Sequence, residues 1–296
     1  MESYDPARMR AHEDAALFRE ALNYTAAETG FSQRVIEKDY FCSILAAHLA
    51  AAEPSLVFKG GTCLAKVHAG FYRLSEDLDW VIPVPADATR SQRSARAAGA
   101  KKAVARLPAD VKGLRLVRPL TGANNSTQYA ATFGFRAILS GTAESIKVEV
   151  GLREPLLRPA VQGRARTLLR DPLSGEEMIP AVILPCISLE EAYAEKLRAA
   201  LSRREAAIRD FFDVDYALRE GWIRADDRDL IAMVRGKLAV AGNEPVDVSQ
   251  SRLASLRRQV DAQLKPVLRP ADFDRFDLER AFAAVSTIAT LLADAT

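Results

Sequence analysis

Two aspartates one residue apart, Asp77 and Asp79, carry the clearest chemistry in this chain of 296 residues. They stand in the segment Arg73-Leu74-Ser75-Glu76-Asp77-Leu78-Asp79-Trp80. On a strand, alternate side chains face the same way, so both carboxylates project from one face while Leu78, Trp80 and Ile82 point into a core. Side by side they repel, and folding gains nothing from the pair alone. A divalent cation reverses that sign. Magnesium takes hard oxygen ligands, usually one or two carboxylates with substrate phosphates, and manganese shares that oxygen chemistry. Glu149, in Ile146-Lys147-Val148-Glu149-Val150, has the same outward parity, because Ile146, Val148 and Val150 alternate as a core-facing set. Three such acids could hold two metals ~3.5–4 Å apart. Ser75 shares the parity of the aspartates. A phosphate on it would add about −1.5 to −2 charge beside them and exclude a triphosphate. The alternative for Ser75 is a turn serine bonded to a backbone amide.

Upstream lies Lys59-Gly60-Gly61-Thr62. Paired glycines let backbone N–H groups approach phosphates closely, and a helix following them adds a favourable dipole. Most such pairs are only turns; a strand, Gly-Gly, a short helix and then Asp-x-Asp on the next strand is far more specific. A second group follows in Glu195-Lys196-Leu197-Arg198 and Arg203-Arg204, ending at Arg209-Asp210-Phe211-Phe212-Asp213. Lys196, Arg203 and Asp210 recur every seven residues, nearly two helical turns, and so would share a stripe on one continuous helix. Such a stripe could clamp NTP phosphates and a pyrophosphate leaving group. It could equally be a solvated face with local pairs such as Glu195 with Arg198, in which Asp210 merely orients Lys196 or Arg203.

The elements that must position these groups follow from periodicity. Residues 9–29 and 32–52 read as two helices, the first ended by Gly30 and the second capped by Ser32. Strands are expected at 55–58, 78–84, 113–117, 128–139 and 145–152, a short helix at 62–68 and a helix at 88–106. Arg90, Arg93, Arg96, Lys101, Lys102 and Arg106 lie on that last helix and would make a track for RNA phosphates, or a solvated face. Beyond Ser188, an N-cap with Glu190 and Glu191 in the first turn, helices are expected at 188–205, 206–218, 225–239, 247–265 and 271–293. The stretch 170–187, with Pro172, Gly175, Pro180 and Pro185, is a candidate boundary.

Composition narrows the class. The hydrophobic content is 49% and the net charge +2, enough for one large core or two modest ones and no argument by itself for a nucleic-acid partner. Cys42, Cys63 and Cys186 are odd in number and widely spaced, which supports neither a disulfide framework nor a zinc site. No apolar run approaches ~18 residues, and the stretch from Met1 to Asp14 is polar, so no membrane span or signal core is expected and the chain reads as cytoplasmic.

In these same segments the sequence resembles the AbiEii/MenT family of nucleotidyltransferase toxins, within the DNA polymerase β-like superfamily. The matching pieces are Glu37-Lys38-Asp39-Tyr40, Phe58-Lys59-Gly60-Gly61-Thr62-Cys63-Leu64, Arg73 to Asp79, Ile146 to Glu149, and Lys196 through Asp213. The resemblance implies an α+β architecture: a polymerase β-like nucleotidyltransferase domain with a mixed sheet at 1–180, a helical domain at 181–296, and an active site in the cleft between them. It implies Lys59, Gly60 and Gly61 near phosphate, Asp77 and Asp79 on metal, Lys196 on nucleotide phosphate, and Asp210 as a late catalytic acid; Thr62, Ser75 and Arg203 complete the candidate nucleotide-binding set by their position in the chain. Glu149 stands where the superfamily often has Asp. The implied activity is transfer of NMP from an NTP such as ATP or CTP to the tRNA 3′ end, which blocks translation, in a protein paired with an antitoxin. Rival readings are transfer to a small molecule or a protein, and a non-catalytic binding module on the same fold.

Overall fold

The computed structural model describes residues 5–294. Residues 1–4, part of the polar N-terminal stretch read above, and residues 295–296 lie outside the described residues. The chain divides into two compact units, one of residues 1–156 and 160–187, the other of 157–159 and 188–296.

In the first unit, α1 (Ala15–Thr29) begins later than its apolar period suggests, because Asp14 caps it by accepting from the amides of Ala16 and Leu17. Two short 3-10 turns precede it. Gly30, at φ 76°, ends it in the left-handed conformation that glycine takes without strain. In α2 (Gln33–Ala52), every residue from Val35 to Leu49 is buried, including Glu37, Lys38 and Asp39. Ser32 occupies the N-cap position but its hydroxyl makes no capping hydrogen bond. Then come β1 (Val57–Lys59), α3 (Gly60–Cys63), which runs on into a π turn (Leu64–His68), and β2 (Leu78–Val81).

The basic stretch expected as one helix is two, α4 (Arg90–Arg96), which Thr89 and Gln92 start with a capping box, and α5 (Ala98–Asp110), with the chain turning between them at buried Ala97. Strands β3 (Arg115–Ala123), β4 (Gln128–Arg136) and β5 (Ala143–Gly151) follow. Two further strands had no expectation: β6 (Val161–Ala165) and β7 (Val182–Cys186). The second lies inside the proline-bearing stretch read as a boundary. All seven strands form one mixed sheet in the order β3-β4-β5-β2-β1-β7-β6, with β2–β5 and β1–β7 parallel and the other pairs antiparallel. The short strands β1 and β2 therefore sit in the middle of the sheet. Phe58, Leu78 and Trp80 are buried in its core, with the Phe58 and Trp80 rings 4.8 Å apart.

The second unit is helical: α6 (Leu189–Ser202), α7 (Ile208–Arg219), α8 (Arg228–Leu238), α9 (Gln250–Arg257), α10 (Pro270–Asp274) and α11 (Leu278–Asp294). Ser188 caps α6 as expected, its hydroxyl accepting from the Glu191 amide at 3.2 Å. Buried Lys237 of α8 donates to Glu191 at 2.7 Å and to Glu195 at 3.3 Å, so the partner identified for Glu195 comes from another helix. Glu191 also accepts from the amides of Leu157 and Arg158, which ties the 157–159 segment into this unit. None of the helices among the described residues is long and apolar enough to cross a membrane.

Candidate active site

The glycine turn and the aspartate segment close on each other. Leaving β1, the chain enters Gly60 at φ +74°, a conformation L side chains rarely adopt. A Cβ built on Gly60 would lie 2.1 Å from Asp79 Oδ2, so the carboxylate rests on the bare turn. A Cβ on Gly61 would meet the Arg73 guanidinium at 2.7 Å and Ser75 Oγ at 3.0 Å. The Thr62 hydroxyl donates to the carbonyl of Asp77. Both glycines are thus required by close approach, one to an acid and the other to a cation and a hydroxyl. Arg73 is 1% exposed and also donates to the Leu74 carbonyl at 3.0 Å. Its role beneath Gly61 was invisible in the sequence, where it was only the first letter of the aspartate motif.

The sheet register lines up the charged groups. Asp79 pairs with Lys59 of β1 on one side and with Glu149 of β5 on the other. Directly paired residues share a face, so Lys59, Asp79 and Glu149 form one row. Asp77 precedes β2, and its Oδ1 accepts from the Lys147 amide at 3.2 Å. Both aspartates are partly exposed. Glu149 accepts from Lys147 Nζ and from Gln128 Nε2, each at 2.8 Å. Among the described residues, the group of three acids, histidines or cysteines whose ligand atoms all lie within 4.8 Å of one another is Cys63, His68 and Cys186, not the three acids. Asp79 against the bare Gly60 turn, with Asp77 two residues before it, still fits magnesium, which needs only one or two carboxylates and completes its octahedron with phosphate and water.

Helix α2 holds this arrangement from behind. Arg34 and Lys38 donate to Glu76 at 2.8 and 3.2 Å, fixing the residue next to Asp77. Asp39 pairs with Lys66 of the π turn at 2.6 Å and accepts from the Leu168 amide at 3.2 Å. The same ammonium donates to Ser43 Oγ at 2.7 Å. One buried helix therefore braces the aspartate segment with its cations and the chain beyond the glycine turn with its acid. Glu37 accepts from the Ile138 amide at 2.8 Å, and burial pushes its carboxyl up to about 7.

In the helical unit, Lys196, Arg203 and Asp210 do not share a continuous helix. Helix α6 stops at Ser202, Arg203 is extended at ψ 134°, and α7 starts at Ile208. The break is satisfied from a distance. Arg252 donates to the carbonyls of Ala200 and Arg203, at 2.9 and 3.0 Å, while Gln259 bonds the Ala206 carbonyl and the Ile208 amide. The helix-end groups that a continuous helix would pair internally find side-chain partners instead. Lys196 nevertheless reaches Asp210 at 2.9 Å and Asp213 at 2.8 Å, and Arg203 reaches Asp210 at 3.3 Å. The lysine side chain is 13% exposed, and that of Asp213 is fully buried. Asp210 thus orients both cations, and Asp213 is a second carboxylate on Lys196.

The comparisons agree with this architecture. Two Helicobacter pylori crystal structures share the fold: that of JHP933 (TM-score 0.52, 16% identity, 90% of this chain and 94% of that one) and that of a suspected nucleotidyltransferase (TM-score 0.53, 16% identity, 90% and 97%). At that identity the likeness speaks for the fold alone. No curated protein matches the chain. Residues 43–287 match the family described as nucleotidyl transferase AbiEii toxin, type IV TA system. That span includes the glycine turn, the aspartates, Glu149 and Lys196, so the α+β chain with its mixed sheet belongs to the AbiEii family of nucleotidyltransferase toxins.

Proposed function

We propose that the protein transfers a nucleoside monophosphate from an NTP to the 3′ end of a tRNA and thereby blocks translation. The observation that carries this reading is the Asp79 carboxylate seated on the Gly60 turn. An acid and a bare backbone are brought together where a triphosphate and a cation could be held at once. In the reaction, the acceptor oxygen forms a bond to the α-phosphorus, the bond to the β-phosphate oxygen breaks, and pyrophosphate leaves. Magnesium, or manganese in its place, would be held by Asp77 and Asp79 with Glu149 beside them, and when bound it lowers the pKa of the acceptor hydroxyl and polarises the phosphate. Lys59, Gly60, Gly61 and Thr62 bind phosphate. The acceptor proton passes to a carboxylate of this face. In the helical unit, Lys196 and Arg203 bind nucleotide phosphate, positioned by Asp210. An antitoxin is the protein partner that membership of this family implies.

A tRNA acceptor needs basic surface. Arg90, Arg96, Lys102 and Arg106 are exposed on α4 and α5. Arg115 and Arg118 are exposed on the edge strand β3. Phosphate contacts there would make transfer fall steeply with salt. The test is incubation of the protein with magnesium, total tRNA and each NTP labelled at the α-phosphate. Label is expected on tRNA. Label on a small molecule or a protein instead, or none with any NTP, would overturn the acceptor or the activity.

A further inference from the structure

Cys63, His68 and Cys186 are spread along the sequence, but the fold gathers them. One ligand atom from each lies within 4.8 Å of the other two. Cys63 ends α3, His68 closes the π turn and Cys186 ends β7. Both cysteines are fully buried, and His68 is partly exposed. The His68 Nε2 lies 3.0 Å from the Ile187 carbonyl. A carbonyl only accepts, so Nε2 carries the proton and Nδ1 keeps the lone pair. This is the arrangement that fixes the tautomer of a metal-binding histidine, with the second ring nitrogen donating to a backbone carbonyl. Gly163 of β6 lies against the cluster. A Cβ there would fall 2.5 Å from Cys186 Sγ and 2.5 Å from Val67 Cγ1, so the sulfur occupies room that only glycine leaves.

We propose that Cys63, His68 and Cys186 form a zinc site, separate from the acidic face that serves the transfer reaction. The donor set selects the ion: two sulfurs and an imidazole suit Zn²⁺, whereas magnesium wants oxygen. Bond lengths of about 2.3 Å to sulfur and 2.0 Å to nitrogen set these tetrahedral ligands roughly 3.5–3.8 Å apart, inside the 4.8 Å observed. Two thiolates and a neutral imidazole cancel the charge of the ion, which matters where burial makes a net charge costly. On binding, each thiol loses its proton to solvent. Three protein ligands leave one tetrahedral position, filled by water from the partly exposed side of His68. The ion ties the chain that follows Gly60 and Gly61 to β7, and so staples the element on which the glycine turn is built.

The experiment is a titration of the reduced, full-length protein with Zn²⁺ against a chromogenic chelator, with Co²⁺ as a spectroscopic substitute. One Zn²⁺ per chain is expected, together with a thiolate-to-cobalt charge-transfer band and the ligand-field bands of a tetrahedral ion. Cys63→Ser and Cys186→Ser should each weaken binding by more than the roughly 10- to 100-fold lost when an outer-shell partner is removed. The Asp77→Asn/Asp79→Asn double variant should bind as the parent does. The cobalt spectrum of the parent reads thiolate ligation directly, so the proposal stays testable if a cysteine variant fails to fold. Absence of the charge-transfer band, zinc binding that survives both cysteine substitutions, or loss of zinc in the aspartate variant would each overturn it.

Discussion

The aspartates of the first unit and the lysine of the helical unit are both charged groups partly withdrawn from water, yet their surroundings balance them differently. Lys196 has its counter-ions built in: two carboxylates, both within eighteen residues of it, hold the ammonium at 2.8 and 2.9 Å. Asp79 stands in one row between Lys59 and Glu149 and rests on the bare Gly60 turn, with Asp77 two residues before it. One arrangement is stabilised by its own charges. The other sets acids against backbone that leaves room for a ligand. The lesson is that a charge can be tuned for stability or left poised for a ligand, and that substitution should tell the two apart.

The sharpest break between the two sites is expected from Asp79→Asn against Lys196→Ala. The first should cut nucleotidyl transfer at least about 1,000-fold while shifting stability by no more than about 0.5 kcal/mol. The second should also cost transfer, but it takes away the ammonium 2.8 Å from buried Asp213, while Asp210 keeps Arg203, and it should lower unfolding free energy by about 3–5 kcal/mol. Denaturant titrations of both variants check this, and equal stability losses would erase the contrast.

Glu37 sharpens the comparison by showing an acid of the first unit that burial, not a ligand, controls. Its carboxyl rises from 4.5 to about 7, so the folded state binds the proton more tightly than the unfolded one. The contribution of Glu37 to stability is therefore fully present below pH 4.5, is lost as pH rises from there to 7, and levels off above. Glu37→Gln keeps an acceptor for the Ile138 amide and should gain up to about 3 kcal/mol at pH 8, with no gain at pH 4. Thermal melts of both proteins across that range give the sign.

Gly60→Ala should cost about 1–3 kcal/mol from the left-handed backbone alone, and more because the new methyl collides with Asp79. Transfer should fall with it, whereas a substitution at exposed Gly70, also at positive φ but with nothing within 4 Å, should strain the chain without touching transfer. The smallest effect is expected at Ser75. Ser75→Glu places one more negative charge near Gly61 and should slow transfer roughly 5- to 10-fold, through about 1 kcal/mol of repulsion toward the triphosphate. Full activity would remove Ser75 as a point of control by phosphorylation.

Much of this was legible in local order. The parity of Leu78, Asp79 and Trp80 follows from the alternation of a strand, and the register pairs Glu149 with Asp79, whereas Asp77 lies just before the strand. Gly30 and Ser188 mark helix ends because their chemistry acts within a few residues. Where the sequence misled, the deciding partner was remote. The stripe of Lys196, Arg203 and Asp210 assumes an unbroken helix, but Arg252 and Gln259, some fifty residues on, stabilise the break. Strands β6 and β7 carry prolines nearby and a weak apolar alternation, and only pairing with each other and with β1 makes them strands.

By itself, then, the sequence determined the outward parity of Asp79 and Glu149 and the candidates to bind a cation and a phosphate, because period and parity are local properties of the backbone. Only the tertiary structure decided that Asp79 lies on Gly60, that Arg73 is buried beneath Gly61, that α2 braces both segments, and that two cysteines and a histidine meet. Those are contacts between distant segments, and they follow from how the sheet and helices close around one core, which no spacing along the chain encodes.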